Sequence, residues 1–367
     1  MPNFVDRLTD QVDQKKSDLL ASFSRVAYGQ EEALRRLCLA NWHPLPPAVA
    51  AICQRQAVPR PRPACAVDGS LRRVNLANGA TLLVAQALLL GEGGEETRVD
   101  VDIRRGNVPR ASLERLADLL QQSLEVGLAR DGAARLPPGG VLFLDGALYG
   151  QLPQLYPLTI EGVREPLPED ILAAYRQLFD TCRARDVRLL SVAKTSREAL
   201  LSDLLQRRTG NGHLDVSDSE MIYRWTDGQA GYSTPVLLGK RGFTRGSREL
   251  LQSEDLQHAP AIVSFFVRLC DFDDAVRVDL PAFCVGRAER LGDLEDDLLE
   301  ASAVGEILEI LAADYGGLEV YNALLYAADR EVRLERSMMH EVYVRLIAQR
   351  LGVELRLDRS ERRFAER

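Results

Sequence analysis

The sequence predicts an α/β protein: a mixed sheet flanked by helices, with further helical segments at both ends. Three observations carry this. Two apolar strands, Cys65-Ala66-Val67-Asp68 and Val141-Leu142-Phe143-Leu144-Asp145, each stop on an aspartate followed by glycine. Uninterrupted apolar runs of that length suit strands buried on both faces. Between them lie two β-type runs with short polar connections and one long amphipathic stretch, and after the second comes another helix and strand, the pattern of parallel crossovers.

In chain order, residues 1–58 carry helical periodicity through Phe4, Leu8, Val12 and Leu19-Leu20, then Glu31 to Leu39, and break at Trp42-His43-Pro44-Leu45-Pro46-Pro47. They are expected as a helical arm with no place in the sheet. Pro59-Arg60-Pro61-Arg62-Pro63 ends the arm, since proline cannot donate to a ladder. Cys65 to Asp68 follows as the first strand, with Gly69-Ser70 as its exit turn. Ala80 to Leu90 and Thr97 to Arg104 are the next strands; in the latter Val99, Val101 and Ile103 alternate with Asp100 and Asp102. Asn78-Gly79 and residues 91–96 suit hairpin connections.

A helix is predicted from Pro109 to Leu128, striped by Leu113, Leu116, Leu120, Leu124 and Leu128. Pro137-Pro138-Gly139-Gly140 leads into the Asp145 strand. Pro168 opens a helix over 171–185, where its missing N–H costs nothing, and Val187 to Ala193 is a further strand ending in Lys194-Thr195-Ser196-Arg197. Three hairpin-connected strands, helix, strand, helix, strand is the order of a ribonuclease H-like fold, in which the first and fourth strands lie side by side. Beyond it, 221–225 and 234–239 read as short strands, 261–269 and 275–280 as a strand pair, and 292–352 as mostly helical. Residues 353–367 form a charged C-terminal tail, expected to fray after Leu357.

The chain has 367 residues, 46% hydrophobic and 27% charged, an ordinary globular balance. Its net charge of −8 argues against coating nucleic acid by bulk electrostatics, while leaving room for a basic channel confined to one face. No run of eighteen apolar residues and no basic-then-apolar leader is present, so a cytoplasmic protein with no membrane association is expected. The six cysteines form no CxxC pair and read as reduced core residues.

Two carboxylates brought close raise each other's pKa unless a cation sits between them, and oxygen ligands suit magnesium or manganese. Asp68 and Asp145 are therefore candidate metal ligands; turn chemistry is the bland alternative for each Asp-Gly. A third acid should come from the helix between the strands. Glu114 and Glu125 are the candidates, and Glu114 is preferred because it lies slightly nearer the apolar stripe. Lys194 and Arg197 are candidate DNA-backbone contacts. Lys240, Arg241 and Arg245 form a basic loop beside Phe243, a candidate single-strand contact.

In order, Ala66-Val67-Asp68-Gly69-Ser70, Leu142 to Leu148, Ser191-Val192-Ala193-Lys194, Phe266-Val267-Arg268-Leu269 with Arg277-Val278-Asp279-Leu280-Pro281, and Tyr321-Asn322-Ala323-Leu324-Leu325 resemble the motifs of the NurA family of nucleases. The resemblance spans residues 65 to about 350 and implies a nuclease domain over 59–352. It implies a manganese-dependent enzyme, with magnesium as the alternative, that processes single- and double-stranded DNA ends in repair and recombination. It also implies a homodimer docked on a HerA-like hexameric ATPase. The two-metal site would comprise Asp68, Glu114, Asp145 and Asp329. Asp329 stands where the family has a histidine, with His340 as a substitute, and Asn322 stands where the family has proline. The family's active-site tyrosine would be Tyr223, or alternatively Tyr232. Two rival readings are a catalytically degenerate adaptor that partners a translocating ATPase, and an actin-like phosphotransferase. The latter would want glycine-rich phosphate loops that the chain lacks.

Overall fold

The computed structural model describes residues 4–23, 28–54, 60, 62–92, 94–163, 165–209, 216–244, 246–318 and 320–365. Arg245 lies outside them. The N-terminal stretch forms helices α1 (Phe4–Gln14), α2 (Lys16–Phe23) and α3 (Tyr28–Ala40), strand β1 (Trp42–His43) and helix α4 (Pro47–Cys53). Then come β2 (Ala64–Asn75), β3 (Thr81–Gly91), β4 (Glu96–Arg104), α5 (Arg110–Arg135), β5 (Val141–Asp145), α6 (Leu148–Gln154), α7 (Leu167–Ala184) and β6 (Arg188–Ala193). Helices α8 (Leu200–Thr209) and α9 (Asp218–Trp225) precede β7 (Gly231–Ser233), β8 (Val236–Leu238), β9 (Ile262–Arg268), β10 (Val276–Pro281) and β11 (Asp297–Leu298). Helices α10 (Gly305–Ala313) and α11 (Ala323–Val332) follow, then helical turns through Leu351 and a last helix, Arg359–Ala365.

The described strands make one mixed sheet in the order β1-β7-β9-β10-β6-β5-β2-β3-β4, with β8 and β11 branching from β9. Pairing is antiparallel except for β2 with β5 and β5 with β6, the strands linked by helical crossovers. The first and fourth predicted strands thus do lie side by side. Alternation divides the sheet's faces. Cys65, Val67, Leu142 and Leu144 belong to the core under α5 and α7. Ala64, Ala66, Phe143, Leu190 and Val192 belong to the opposite core, under α4, α10 and α11.

Four expectations are corrected. The first strand does not end at Asp68: β2 runs on to Asn75, every residue paired with β3, because Leu71 and Val74 continue the apolar lining and Gly69-Ser70 pass through in extended form. The arm is not separate from the sheet, since β1 pairs with β7 and Leu34, Cys38 and Val49 are buried. Residues 221–225 are helical; Ser217 caps α9 by accepting from the Glu220 N–H, and Met221, Ile222 and Trp225 make its buried side. The tail after Leu357 packs rather than frays: the Asp358 N–H donates to the Asn75 carbonyl, and Glu361 accepts from Arg336 and lies 3.1 Å from His340.

The six cysteines are free thiols, four of them buried, with Cys53 half-buried and Cys270 exposed. Among the described residues no helix is long and apolar enough to cross a membrane.

Candidate active site

Register and alternation build the site. Val67 pairs with Leu144 in parallel and Asp145 with Val192 of β6, so Asp68, Asp145 and Lys194 follow those apolar residues at one end of the sheet. All three continue the α11 side, since Ala64, Ala66, Val141, Phe143, Leu190 and Val192 face it. Helix α11 packs across β2 and β3 and brings Asp329 to the same place. Lys194 Nζ is 3.6 Å from Asp145 Oδ2 and 4.0 Å from Asp329 Oδ1. It also lies 5.3 Å from the centroid of the Tyr321 ring, whose hydroxyl donates to Asp145 Oδ1 at 3.5 Å.

Of the two α5 glutamates, the structure brings Glu125 and not the preferred Glu114 close enough to feel the charges of Asp68 and Asp145. Glu114 sits in the first turns of α5, ion-paired with Arg110 at 3.0 Å and Arg73 at 3.5 Å, and the Arg110 hydrogen bond holds its carboxyl below the usual range. Because β2 continues past Asp68, the start of α5 covers the far part of the hairpin. Only about three turns later, about 16 Å along the axis, does the helix come level with Asp68. There Gln121 donates to Glu125 Oε1 at 2.7 Å. A Cβ on Gly69 would lie 2.2 Å from that same oxygen. The glycine after Asp68 thus leaves room for the close approach of the Glu125 carboxylate and makes no turn, and a side chain there would push Glu125 aside.

The electrostatics are those of a crowded anionic site. Asp68 is 5% exposed, and burial, then the charges of Asp145 and Asp329, raise its carboxyl to about 7 despite the hydrogen bond from the Gly69 N–H and the pull of Lys194. Burial raises Glu125 to about 8, reinforced by Asp68 and Asp145 and opposed by Gln121. Asp145 is raised by burial and by Asp329, with Lys194 opposing. The Tyr321 hydroxyl is pushed far up by burial and by the acids around it, and stays protonated as a donor.

Among the described residues no three His, Cys, Asp or Glu side chains converge as a ready-made coordination shell. The chemistry of the donors nonetheless suits a hard divalent cation: Asp68, Asp145 and Asp329 are oxygen-only, with Glu125 nearby on α5 and Lys194 among the first three.

The remaining sequence candidates fall elsewhere. Tyr223 is on α9 with its ring exposed, lining a cavity shared with Lys194. Tyr232 is buried against His43. His340 is away from the acids, buried 3.1 Å from Glu361 in the C-terminal cluster. Arg197 is exposed. Lys240 pairs with Glu295 and Arg241 with Asp203, and Phe243 is buried and closed to stacking. Tyr321 is the tyrosine that reaches the acids; it lay within a noted motif, and its adjacency to the helix-capping Asn322 was the available signal.

The chain is thus a mixed α/β-sheet protein with acidic side chains and one lysine collected at the end of its parallel strands. Residues 62–334 match the NurA domain. The chain belongs to the NurA family, whose members include nucleases. Its fold is similar to the NurA nuclease from Sulfolobus solfataricus, with 16% identity, TM-score 0.58 and coverage of 96% of this chain and 98% of that one. It is also similar to a NurA structure bound to dAMP and manganese, with 12% identity, TM-score 0.56 and coverage of 91% and 98%. A NurA structure with manganese matches at 14% identity, TM-score 0.51 and coverage of 92% and 98%. No curated protein matches the chain.

Proposed function

We propose that this protein is a metal-dependent deoxyribonuclease of the cytoplasm that processes DNA ends in repair and recombination. The carrying observation is the gathering of Asp68, Asp145 and Asp329 around Lys194 at one end of the sheet, with Glu125 of α5 close enough behind Gly69 to feel the charges of Asp68 and Asp145. These four residues would hold two divalent ions, manganese first and magnesium as the alternative. The related structures containing manganese and dAMP support an ion and a nucleotide in this family. The strand order β4-β3-β2-β5-β6 supports a ribonuclease H-like core.

Bound ions would polarise the scissile phosphate and lower the pKa of water, so no side chain need act as nucleophile. The protein's own groups prepare that site. Asp68 is paired with Leu88 of β3, one residue past the last β2–β5 pair at Val67, and the Tyr321 hydroxyl donates to Asp145. Lys194 neutralises part of the anionic excess and is placed to turn toward a substrate phosphate. Protons held by Asp68 and Glu125 near neutral pH must leave before either carboxylate can ligate, so activity should rise with pH across that range.

The exposed apolar residues Phe4, Val5, Leu8 and Val12 of α1 support docking to a HerA-like ATPase or within a homodimer. The second reading, a degenerate adaptor, is favoured by Asp329 in the place of the family's histidine and by Lys194 lying between Asp145 and Asp329. Linear duplex and single-stranded DNA incubated with manganese, magnesium or chelator test the choice. Metal-dependent cleavage that disappears in Asp68→Asn and Asp145→Asn supports the enzyme. A wild-type protein inert with every ion, alone and with the ATPase, leaves the adaptor.

A further inference from the structure

Next to the acid cluster lies a cavity of about 430 Å³, lined by Lys194, Ser196, Ser219, Glu220, Tyr223 and Asp274 among others. Ligand pockets begin at about this size. Lys194 belongs both to this cavity and to the acid cluster, so anything held here touches the residue that faces Asp145. The rest of the lining is mixed in charge: Arg268 is turned inward onto Thr226 and the backbone, while the Glu220 and Asp274 carboxylates and the Ser196 and Ser219 hydroxyls offer acceptors for amino and ring N–H groups. Tyr223, at the rim, is 77% exposed, on a helix turn whose neighbours Ile222 and Trp225 are buried. The helix therefore presents the ring to solvent at the rim of the cavity. Phe272, two residues before Asp274, is 86% exposed and sits in the left-handed region at φ 64°. A bulky residue rarely adopts that conformation, and such outliers concentrate at functional sites.

We propose that this cavity receives one unpaired base of the strand whose phosphate reaches Lys194 and the carboxylates, with the base stacked on Tyr223. Stacking on an exposed aromatic tolerates any base, while a base inside a duplex cannot enter without leaving its partner. The cavity would thus select frayed or single-stranded ends. The inference rests on the nuclease reading of the acid cluster and deepens it.

The test is binding of a short labelled single strand and of the matching blunt duplex to the full-length protein in EDTA, read by fluorescence anisotropy so that cleavage plays no part. Tyr223→Ala should weaken single-strand binding about tenfold, with duplex binding unchanged. Tyr223→Phe should keep the wild-type affinity, and Asp68→Asn should bind the single strand while failing to cleave it with manganese. Tyr223 is exposed, so its variants should fold. Wild-type single-strand affinity in Tyr223→Ala, or an equal loss on duplex, overturns the proposal while cleavage by the wild type leaves the nuclease reading intact. A wild-type protein that neither binds nor cleaves DNA overturns both.

Discussion

Replacing Asp68 with asparagine should stabilise the metal-free protein at alkaline pH while abolishing cleavage. Asparagine keeps the shape and the acceptor for the Gly69 N–H but removes a charge that is 5% exposed and faces Asp145 and Asp329. Folding raises this carboxyl from 3.8 to about 7. At about 1.36 kcal/mol per pH unit, the ionised form therefore costs the native state about 4 kcal/mol. The sign is opposite to that of a salt-bridged aspartate. A raised acid binds its proton more tightly when folded, so its cost is absent below the unfolded value of 3.8, grows between 3.8 and about 7, and is complete above. Between pH 5 and pH 8 the wild type should lose about 3 kcal/mol through this group. Because Asp145 and Asp329 share the repulsion, the gain measured in the single variant should be nearer 2 kcal/mol. Urea denaturation in EDTA at both pH values measures it. An Asp68→Asn protein less stable than wild type at pH 8, or with an unchanged difference between the two pH values, would refute the electrostatic reasoning.

Further outcomes follow from the same geometry. Glu125→Gln should remove manganese-dependent cleavage, whereas Glu114→Ala, which loses only exposed ion pairs, should cleave as wild type; parallel nuclease assays decide between the two acids. Asp329→Ala should lower activity and raise the manganese concentration needed for half-maximal cleavage, and Asp329→His should retain much of both, checked by metal titration. Arg277 is buried between Asp279, at 2.8 Å, and Glu198. Arg277→Met should therefore cost about 3–5 kcal/mol in urea unfolding by stranding the Asp279 charge, and adding Asp279→Leu should recover most of that loss.

The parallel core was legible because its signals are local. The apolar runs ending at Asp68 and Asp145, the leucine stripe of α5 and the helix before β6 each specify an element without long-range information. The acid pair followed, because alternation fixes which face a strand's last residue takes. Glu125 was missed for a non-local reason: helical periodicity places both glutamates similarly, and only the true length of β2 decides which one is level with Asp68. Gly69 carried that information, since a glycine inside a ladder marks the close approach of another group. Met221 to Trp225 reads as a strand by residue type, but the Ser217 cap three residues before Glu220 is a helix start that outweighs it. Trp42 and His43 gave no strand signal, because two residues joined to a sheet edge depend on a partner some 190 residues away.

The full length of β2 has a mechanical consequence. Asp68 sits in the interior of a strand bonded along β3 on one side and, up to the neighbouring Val67, along β5 on the other, so its position is set by the stiffest part of the molecule. Asp145 is followed at once by Gly146 at φ 97°, where the sheet gives way to a bend, and Asp329 and Tyr321 ride on a separate helix and the segment before it. The site is therefore built like a vice with one fixed jaw. A cation entering it would be located by Asp68 and gripped by movement of the others. In the proposed metal site Asp68 would be the ligand set by the sheet, and Asp145, Asp329 and Tyr321 the groups free to adjust to it.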